Sequence, residues 1–523
     1  MTRQEQLHDD GFDMIILGGG LAALAAGYAA VKRGQRPLIL EERGRPGGLV
    51  CGATFAGAQV DIGAESYATR NPAVRELCHE LGLETVAPNS SSWVWDHARR
   101  TAVAIPAGTF GIPSDIHDPV FVEGLRAVAG EAAVTRAWQD LELPPEIGAE
   151  ATTLGELVEA RMGRAVLDVF VTPFAGGIHS AHPDHLMLDR VTPGLMEAFG
   201  EVGTLTGAVA QIRKPGAVVV EQSKGGMFQL VEALSAAIQA GGGRIDNHVR
   251  VMHLEAGIGQ DLPRWVVWCK HTVSNRRHPG GPPEESGTAF GLATDRVVLA
   301  LPAKQSFAVL TSAAASMLRL GFHAQKEGRD ASTRFDSAAL ESIGELTAGF
   351  EMHPATPVLN VTLVVQNADL DRAPRGSGML VGPPPLDPET GEVAPETLRA
   401  KALTHYSIKW PDTMGGAAQP HTHVLRVSYG REGDPLDFLA AVDVDYALRD
   451  ASRMLGVELD RSQLLDSRLI NWGDAMTHPN AAEREKFREV VQLAQRVEGL
   501  DLVGSWVAGN GITPVIAHAL QLG

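Results

Sequence analysis

Gly18-Gly19-Gly20-Leu21-Ala22-Ala23 sets three glycines before three small or apolar residues, and Glu41 follows Gly18 by 23 positions. Glycines at this spacing allow a tight turn whose backbone N–H groups approach a pyrophosphate, and Ala23 is small enough for the third position of the pattern. A carboxylate at Glu41 accepts hydrogen bonds from ribose hydroxyls and repels a 2′-phosphate. The chemistry these residues support is the grip on a dinucleotide, with a phosphorylated nicotinamide disfavoured.

The flanking segments have the character needed to position such a turn. Residues 12–17 (FDMIIL) form an apolar run of the length of a buried parallel strand, residues 24–31 are Ala-rich and helical, and residues 37–40 form a second run that delivers Glu41. Strand, turn, helix, strand and acid occur in the order a pyrophosphate on a helix N-terminus requires.

Bulk properties narrow the class. The 523 residues, 44% hydrophobic, suffice for two or three domains. A net charge of -18 opposes phosphate backbones, so nucleic acid is excluded as a partner. Cys51, Cys78 and Cys269 are too few and too scattered for a disulfide framework, which points to a reducing, cytoplasmic setting. The polar start lacks the pattern of a signal peptide. No run approaches the roughly 18 uninterrupted apolar residues of a membrane span, although peripheral membrane contact stays open. The 18 histidines show no HxxxH grouping, and no metal is assigned.

Gly47-Gly48 begins six residues after Glu41, and Val60-Asp61-Ile62-Gly63 follows. This E-x5-GG arrangement resembles the flavin amine oxidase and protoporphyrinogen oxidase superfamily, in which the second glycine pair passes close to the flavin diphosphate. Residues 244–254 resemble the strand whose Val251 lies beside the adenine, and residues 295–303 the strand that closes the FAD domain. Leu502-Val503-Gly504-Ser505-Trp506 and Gly509-Asn510-Gly511-Ile512 resemble the last FAD segment, where a helix N-terminus faces the flavin. The resemblance implies FAD. Its binding residues would be Gly18, Gly20, Leu21, Ala22 and Ala23; Glu41, Glu42 and Arg43; Gly47, Gly48 and Leu49; Gly63, Ala64, Glu65 and Ser66; Val251 and Trp472; and Gly504, Ser505, Gly511, Ile512 and Thr513. That last segment has no cysteine corresponding to the covalent attachment of monoamine oxidases, so the flavin is expected to be non-covalent. Trp472 and Trp506 read equally as core aromatics or pocket walls.

Further motifs resemble the soluble bacterial porphyrinogen oxidases of heme synthesis. They are Gly63-Ala64-Glu65-Ser66-Tyr67, Pro173-Phe174-Ala175-Gly176-Gly177-Ile178, Lys224-Gly225-Gly226-Met227, and a trio at residues 376–381, 402–411 and 425–431. The likeness runs from about residue 12 to residue 520, interrupted by local insertions near 278–286 and 322–337. A porphyrinogen is an apolar macrocycle edged with propionates, so its pocket needs apolar walls and a few cations. Arg70, Lys409, Arg426 and Arg431 are the candidates for the carboxylates, and Gly176 and Gly177 for the wall. Asn71 stands where relatives often carry lysine, which weakens a propionate contact there. No general base is assigned; His179 and Ser180 are the weak candidates for moving protons.

The resemblance implies a six-electron oxidation in three hydride transfers to flavin N5, with dioxygen reoxidising the flavin to give hydrogen peroxide. Coproporphyrinogen III ranks first as substrate, as in the forms from Gram-positive bacteria, and protoporphyrinogen IX second. An amine oxidase or desaturase and a non-catalytic prenyl-GTPase escort protein are the readings from other classes. A downstream ferrochelatase is a candidate partner. The expected fold is α/β (α+β). A doubly wound FAD-binding domain of the amine-oxidase type would comprise residues 1–75, 209–305 and 440–523. An interleaved mixed-sheet substrate domain would occupy 306–439, and a helical subdomain at 76–208 would cover the cavity and could contact a membrane.

Overall fold

The computed structural model describes residues 7–8, 11–89, 92–97, 99–176, 182–213, 219–260, 262–275, 281–387, 389–394, 396–413, 419–431, 434–476 and 479–522. The runs that read as buried strands form one parallel sheet. Its order is Arg244–Asn247, Pro37–Glu41, Met14–Leu17, Val297–Leu299, Leu500–Leu502. Every residue of Met14–Leu17 and Pro37–Glu41 is buried, as a sheet covered on both faces demands. Leu21–Lys32, Phe228–Ala240 and Ile512–Ala519 cover one face. The other is covered chiefly by an antiparallel meander, Val249–Ala256, Trp265–Val273 and Glu284–Thr294, with the helices Ala303–Lys326 and Ser337–Thr347 behind it. The segment at 244–254, read as one strand, is thus two, broken at His248, which takes a positive φ of 61°.

A seven-stranded mixed sheet forms the second body, in the order Leu464–Met476, Thr356–Gln366, Thr422–Tyr429, Ala402–His405, Gly378–Val381, Ser92–Asp96, Thr101–Ala104. All its pairs are antiparallel except Gly378–Val381 with Ser92–Asp96. The chain is therefore divided differently from the expected boundaries. Residues 92–104 leave the helical segment to complete this sheet, and Leu464–Met476 is its edge rather than part of the dinucleotide body. Ala303–Lys326 and Ser337–Thr347, expected in the substrate domain, pack on the meander. One face of the seven-stranded sheet carries Val444–Leu455, whose buried residues Ala447, Leu448, Ala451 and Met454 recur at helical spacing. The other carries the hairpin Gly52–Phe55 and Ala58–Asp61 of the dinucleotide body.

The helical segment has its own core, built from Pro119–Ala129, Leu154–Met162 and their neighbours. Its centre is an ion pair with no solvent exposure, Arg161 Nε to Asp140 Oδ1 at 2.7 Å. The Arg161 guanidinium also donates to the carbonyls of Pro144, Ile147 and Gly203, while Asp140 accepts from the N–H groups of Leu205 and Thr206. Both charges are thereby saturated with hydrogen bonds, the condition under which such a pair is tolerated.

Ala303–Lys326 is long and apolar enough to cross a membrane by length and composition, but serine and threonine hydroxyls and Arg319 interrupt it, and it contains no long unbroken apolar run. Here those hydroxyls bind the meander, where Ser312 and Ser316 accept from the N–H groups of Leu254 and Ala256.

Candidate active site

The first glycine turn is built as a cradle. Gly20 caps Leu21–Lys32 without a side-chain hydrogen bond, so the first-turn N–H groups of Leu21, Ala22 and Ala23 carry the positive end of the helix dipole. A Cβ on Gly20 would meet no atom of the described residues within 4 Å, which leaves room for a ligand. Glu41 closes the turn: Oε2 accepts from Gly19 N at 2.8 Å and Oε1 from Arg43 N at 2.8 Å. Burial pushes its carboxyl above the usual range, against those two hydrogen bonds. Gly47 N donates to Gly19 O at 2.8 Å, locking the second turn to the first. Gly47 has φ of 107°, and a Cβ there would fall 2.3 Å from Val50 O, so only glycine fits.

The C-terminal segment reaches the same place from the far end of the chain. Ile512–Ala519 packs on Leu21–Lys32, and Thr513 Oγ1 donates to Ala68 O at 2.7 Å. Gly511 caps that helix without a side-chain bond, and Gly504 precedes the short turn Ser505–Ala508. Glu42 pairs with Arg250 of the meander at 3.0 Å, and Val251, opposite Cys269, is partly buried against the core beneath.

Beyond the second turn the dinucleotide body meets the seven-stranded sheet, and the junction centres on Gly63. A Cβ on Gly63 would lie 1.8 Å from Leu49 O and 3.5 Å from the Trp472 ring, so two neighbouring loops of the dinucleotide body and the far edge strand Leu464–Met476 converge on one hydrogen atom. Arg426 donates to Gly63 O at 2.8 Å. Glu65 takes one cation from the short helix Tyr406–Lys409 and one from the sheet: Oε1 accepts from Lys409 Nζ at 2.7 Å and Oε2 from Arg426 at 2.5 Å. Burial raises the Glu65 carboxyl, but the Lys409 and Arg426 charges prevail and hold it below the usual range. Ala64 and Ser66, on either side of Glu65, are half-buried.

Asp61 holds the junction from beneath and is fully buried. It accepts from Met227 N (2.8 Å) and Phe228 N (3.0 Å) at the start of Phe228–Ala240, from Gln222 Nε2 (2.9 Å) and from the Tyr406 hydroxyl (2.9 Å). One carboxylate thus joins the hairpin, a helix N-terminus and the seven-stranded sheet. Burial pushes its pKa up to about 6 despite those donors. The sequence reading included Asp61 and Tyr406 in motifs without giving either a role, and it passed over Gln222, 161 residues from Asp61. Their polar character inside apolar strands is the signal; their meeting is not legible in spacing.

The remaining candidates scatter. Arg70 is exposed. Arg431 is buried and donates to the carbonyls of Val381, Gly382, Arg399 and Ala400, stitching the loops at one end of the sheet; burial brings its pKa down to about 10. Its Nε lies 4.0 Å from where a Gly176 Cβ would be. Gly177, His179 and Ser180 fall outside the described residues.

The arrangement fits FAD. A dinucleotide laid on the two glycine turns would run from Glu41 toward Gly63, where Thr362 Oγ1, Arg426 Nε and Trp472 Nε1 are buried with no hydrogen-bond partner among the described residues. Thr362 sits directly across from Arg426 in the sheet. Buried polar groups left open in this way call for ligand atoms or water. Leu49, nearly half exposed beside this junction, supplies an apolar surface.

Comparison with known proteins gives the same picture. The model of a family described as flavin containing amine oxidoreductase matches residues 21–323, more than half of the chain. A coproporphyrinogen III oxidase of Propionibacterium freudenreichii is 27% identical over 266 residues, which cover 44% of this chain and 50% of that protein. The chain thus spans about half the length of that relative. One of the same name from Mycobacterium bovis is 24% identical over 521 residues, covering 96% of this chain and 95% of that one. A crystal structure from Exiguobacterium sp. 255-15 under a provisional protoporphyrinogen oxidase name superposes with a TM-score of 0.70 at 20% identity, covering 98% of both chains.

Proposed function

The chain belongs to the flavin containing amine oxidoreductase family and is an FAD-dependent oxidoreductase, and on that premise we propose that it oxidises a porphyrinogen in heme synthesis, with coproporphyrinogen III as the substrate. The observation that carries this reading is the junction at Gly63. There an apolar surface from Leu49 and Trp472 adjoins two cations of the substrate-side body, Arg426 on the sheet and Lys409 on the short helix Tyr406–Lys409. That combination suits a flat macrocycle edged with carboxylates. The mycobacterial relative, matched along nearly its whole length, supports the same substrate.

Bound FAD would accept the hydrides, and in this proposal dioxygen takes the electrons onward in three two-electron rounds. The protein's share is positioning. The Glu41 and Gly18–Gly20 turn would hold the nucleotide end, Gly47 and Gly63 would let the backbone pass close to the rest of the cofactor, and Asp61 fixes the substrate-side sheet against both turns. Lys409 would take a substrate carboxylate. Pyrrole protons can leave to water, so the reaction needs no strong side-chain base. The test is anaerobic: coproporphyrinogen III added to the flavin-loaded protein should bleach the flavin visible absorption, each flavin taking two of the six electrons, and porphyrin fluorescence should follow once dioxygen is admitted. Unchanged flavin absorption with substrate in excess would refute the proposal.

A further inference from the structure

The two cations best placed for a substrate carboxylate already share one. Glu65 lies between Lys409 and Arg426, and the three side chains differ in access: 22% exposed for Lys409, 14% for Glu65 and 7% for Arg426. Arg426 is the inner member. It sits on the interior strand Thr422–Tyr429 and also holds Gly63 O. Lys409 is the outer one, at the last residue of the short helix Tyr406–Lys409. An ammonium has three donors, and Glu65 occupies one of them. An incoming carboxylate can therefore take Lys409 while Glu65 stays on Arg426.

We infer that Glu65 is a specificity-determining residue: its carboxylate occupies the seat that a carboxylate of the substrate takes on Lys409, and it competes with the ligand for that cation. The inference rests on the porphyrinogen reading and deepens it. With Glu65 in place the trio carries a single positive charge, so ligand anions bind only by sharing or displacing the resident one. The site then favours ligands that bring several carboxylates and holds each weakly enough to release product.

The sign of one mutation separates this from a purely structural ion pair. If Glu65 only braces the fold, Glu65→Gln leaves two cations unpaired, loosens the junction and weakens binding. If it competes for the seat, Glu65→Gln frees Lys409 and strengthens binding of a carboxylate ligand. The experiment titrates coproporphyrin III and its tetramethyl ester into flavin-loaded wild type and Glu65→Gln, read by porphyrin fluorescence. The expected result is a gain of about three- to tenfold for the acid, shrinking with added salt, and no gain for the ester. Unchanged or weaker binding of the acid by Glu65→Gln overturns the inference and leaves the proposed activity standing. Failure of the wild type to bind coproporphyrin III at all overturns both. Should Glu65→Gln lose its flavin, Lys409→Gln tests the seat for which Glu65 is inferred to compete. It should lose about tenfold for the acid and nothing for the ester, and equal affinity for the acid would sink the idea.

Discussion

Replacing Tyr406 by phenylalanine removes one hydroxyl from a sealed network and nothing else. That hydroxyl is buried and donates to Asp61 Oδ2 at 2.9 Å. A hydrogen bond to an ionised carboxylate contributes about 1.5–3 kcal/mol, against roughly 0.5–1.5 kcal/mol for a neutral one. Which value applies depends on the charge of Asp61, whose pKa burial pushes up from 3.8 to about 6. Between those two values the unfolded chain ionises first, so stability falls as pH rises; above the folded pKa both states are ionised and the fall stops. Tyr406 favours the ionised form, so Tyr406→Phe raises the folded pKa further and the fall continues to higher pH. The gap between wild type and variant should therefore be about 1 kcal/mol near pH 5 and about 2–3 kcal/mol near pH 8. Urea unfolding of the flavin-loaded proteins at the two pH values measures it. An equal gap at both, or a wider one in acid, would show that Tyr406 does not support an ionised Asp61.

Three other perturbations probe separate parts of the account. Glu41→Gln leaves one of two N–H groups, that of buried Gly19 or that of Arg43, facing an amide donor. FAD affinity should fall by about tenfold to hundredfold in a flavin-fluorescence titration, and an unchanged affinity would remove Glu41 from the site. Gly63→Ala puts a methyl 1.8 Å from Leu49 O, so the purified variant should carry far less flavin than wild type in its visible spectrum. Asp140→Asn breaks the buried pair with Arg161 and should destabilise the helical segment by about 3–5 kcal/mol in a denaturant melt, with FAD affinity unaffected because the pair lies in a separate core.

The dinucleotide grip was legible because it is local. The strand at 12–17, the glycine turn and Glu41 span one short stretch of chain, and period, turn chemistry and carboxylate position are all written there. Gly47 and Gly48 were readable for the same reason. The seven-stranded sheet was not, because it recruits residues 92–104 from a segment whose surroundings are helical, and its edge Leu464–Met476 from beyond the expected boundary. Strand pairing at such distances leaves no trace in periodicity. Lys409 and Arg426 were picked out by their motifs, yet their shared partner Glu65 was read as a cofactor residue; more than 300 residues separate that carboxylate from either cation. Arg431 shows the opposite case, a motif arginine whose hydrogen bonds go to four backbone carbonyls.

The most direct test of the central claim is aerobic turnover of coproporphyrinogen III and protoporphyrinogen IX, side by side, by the flavin-loaded protein, followed by porphyrin fluorescence with hydrogen peroxide measured in parallel. The account predicts flavin-dependent formation of coproporphyrin III, faster than that of protoporphyrin IX, with about three peroxide molecules per porphyrin. Inertness toward both substrates, with FAD bound, would contradict it.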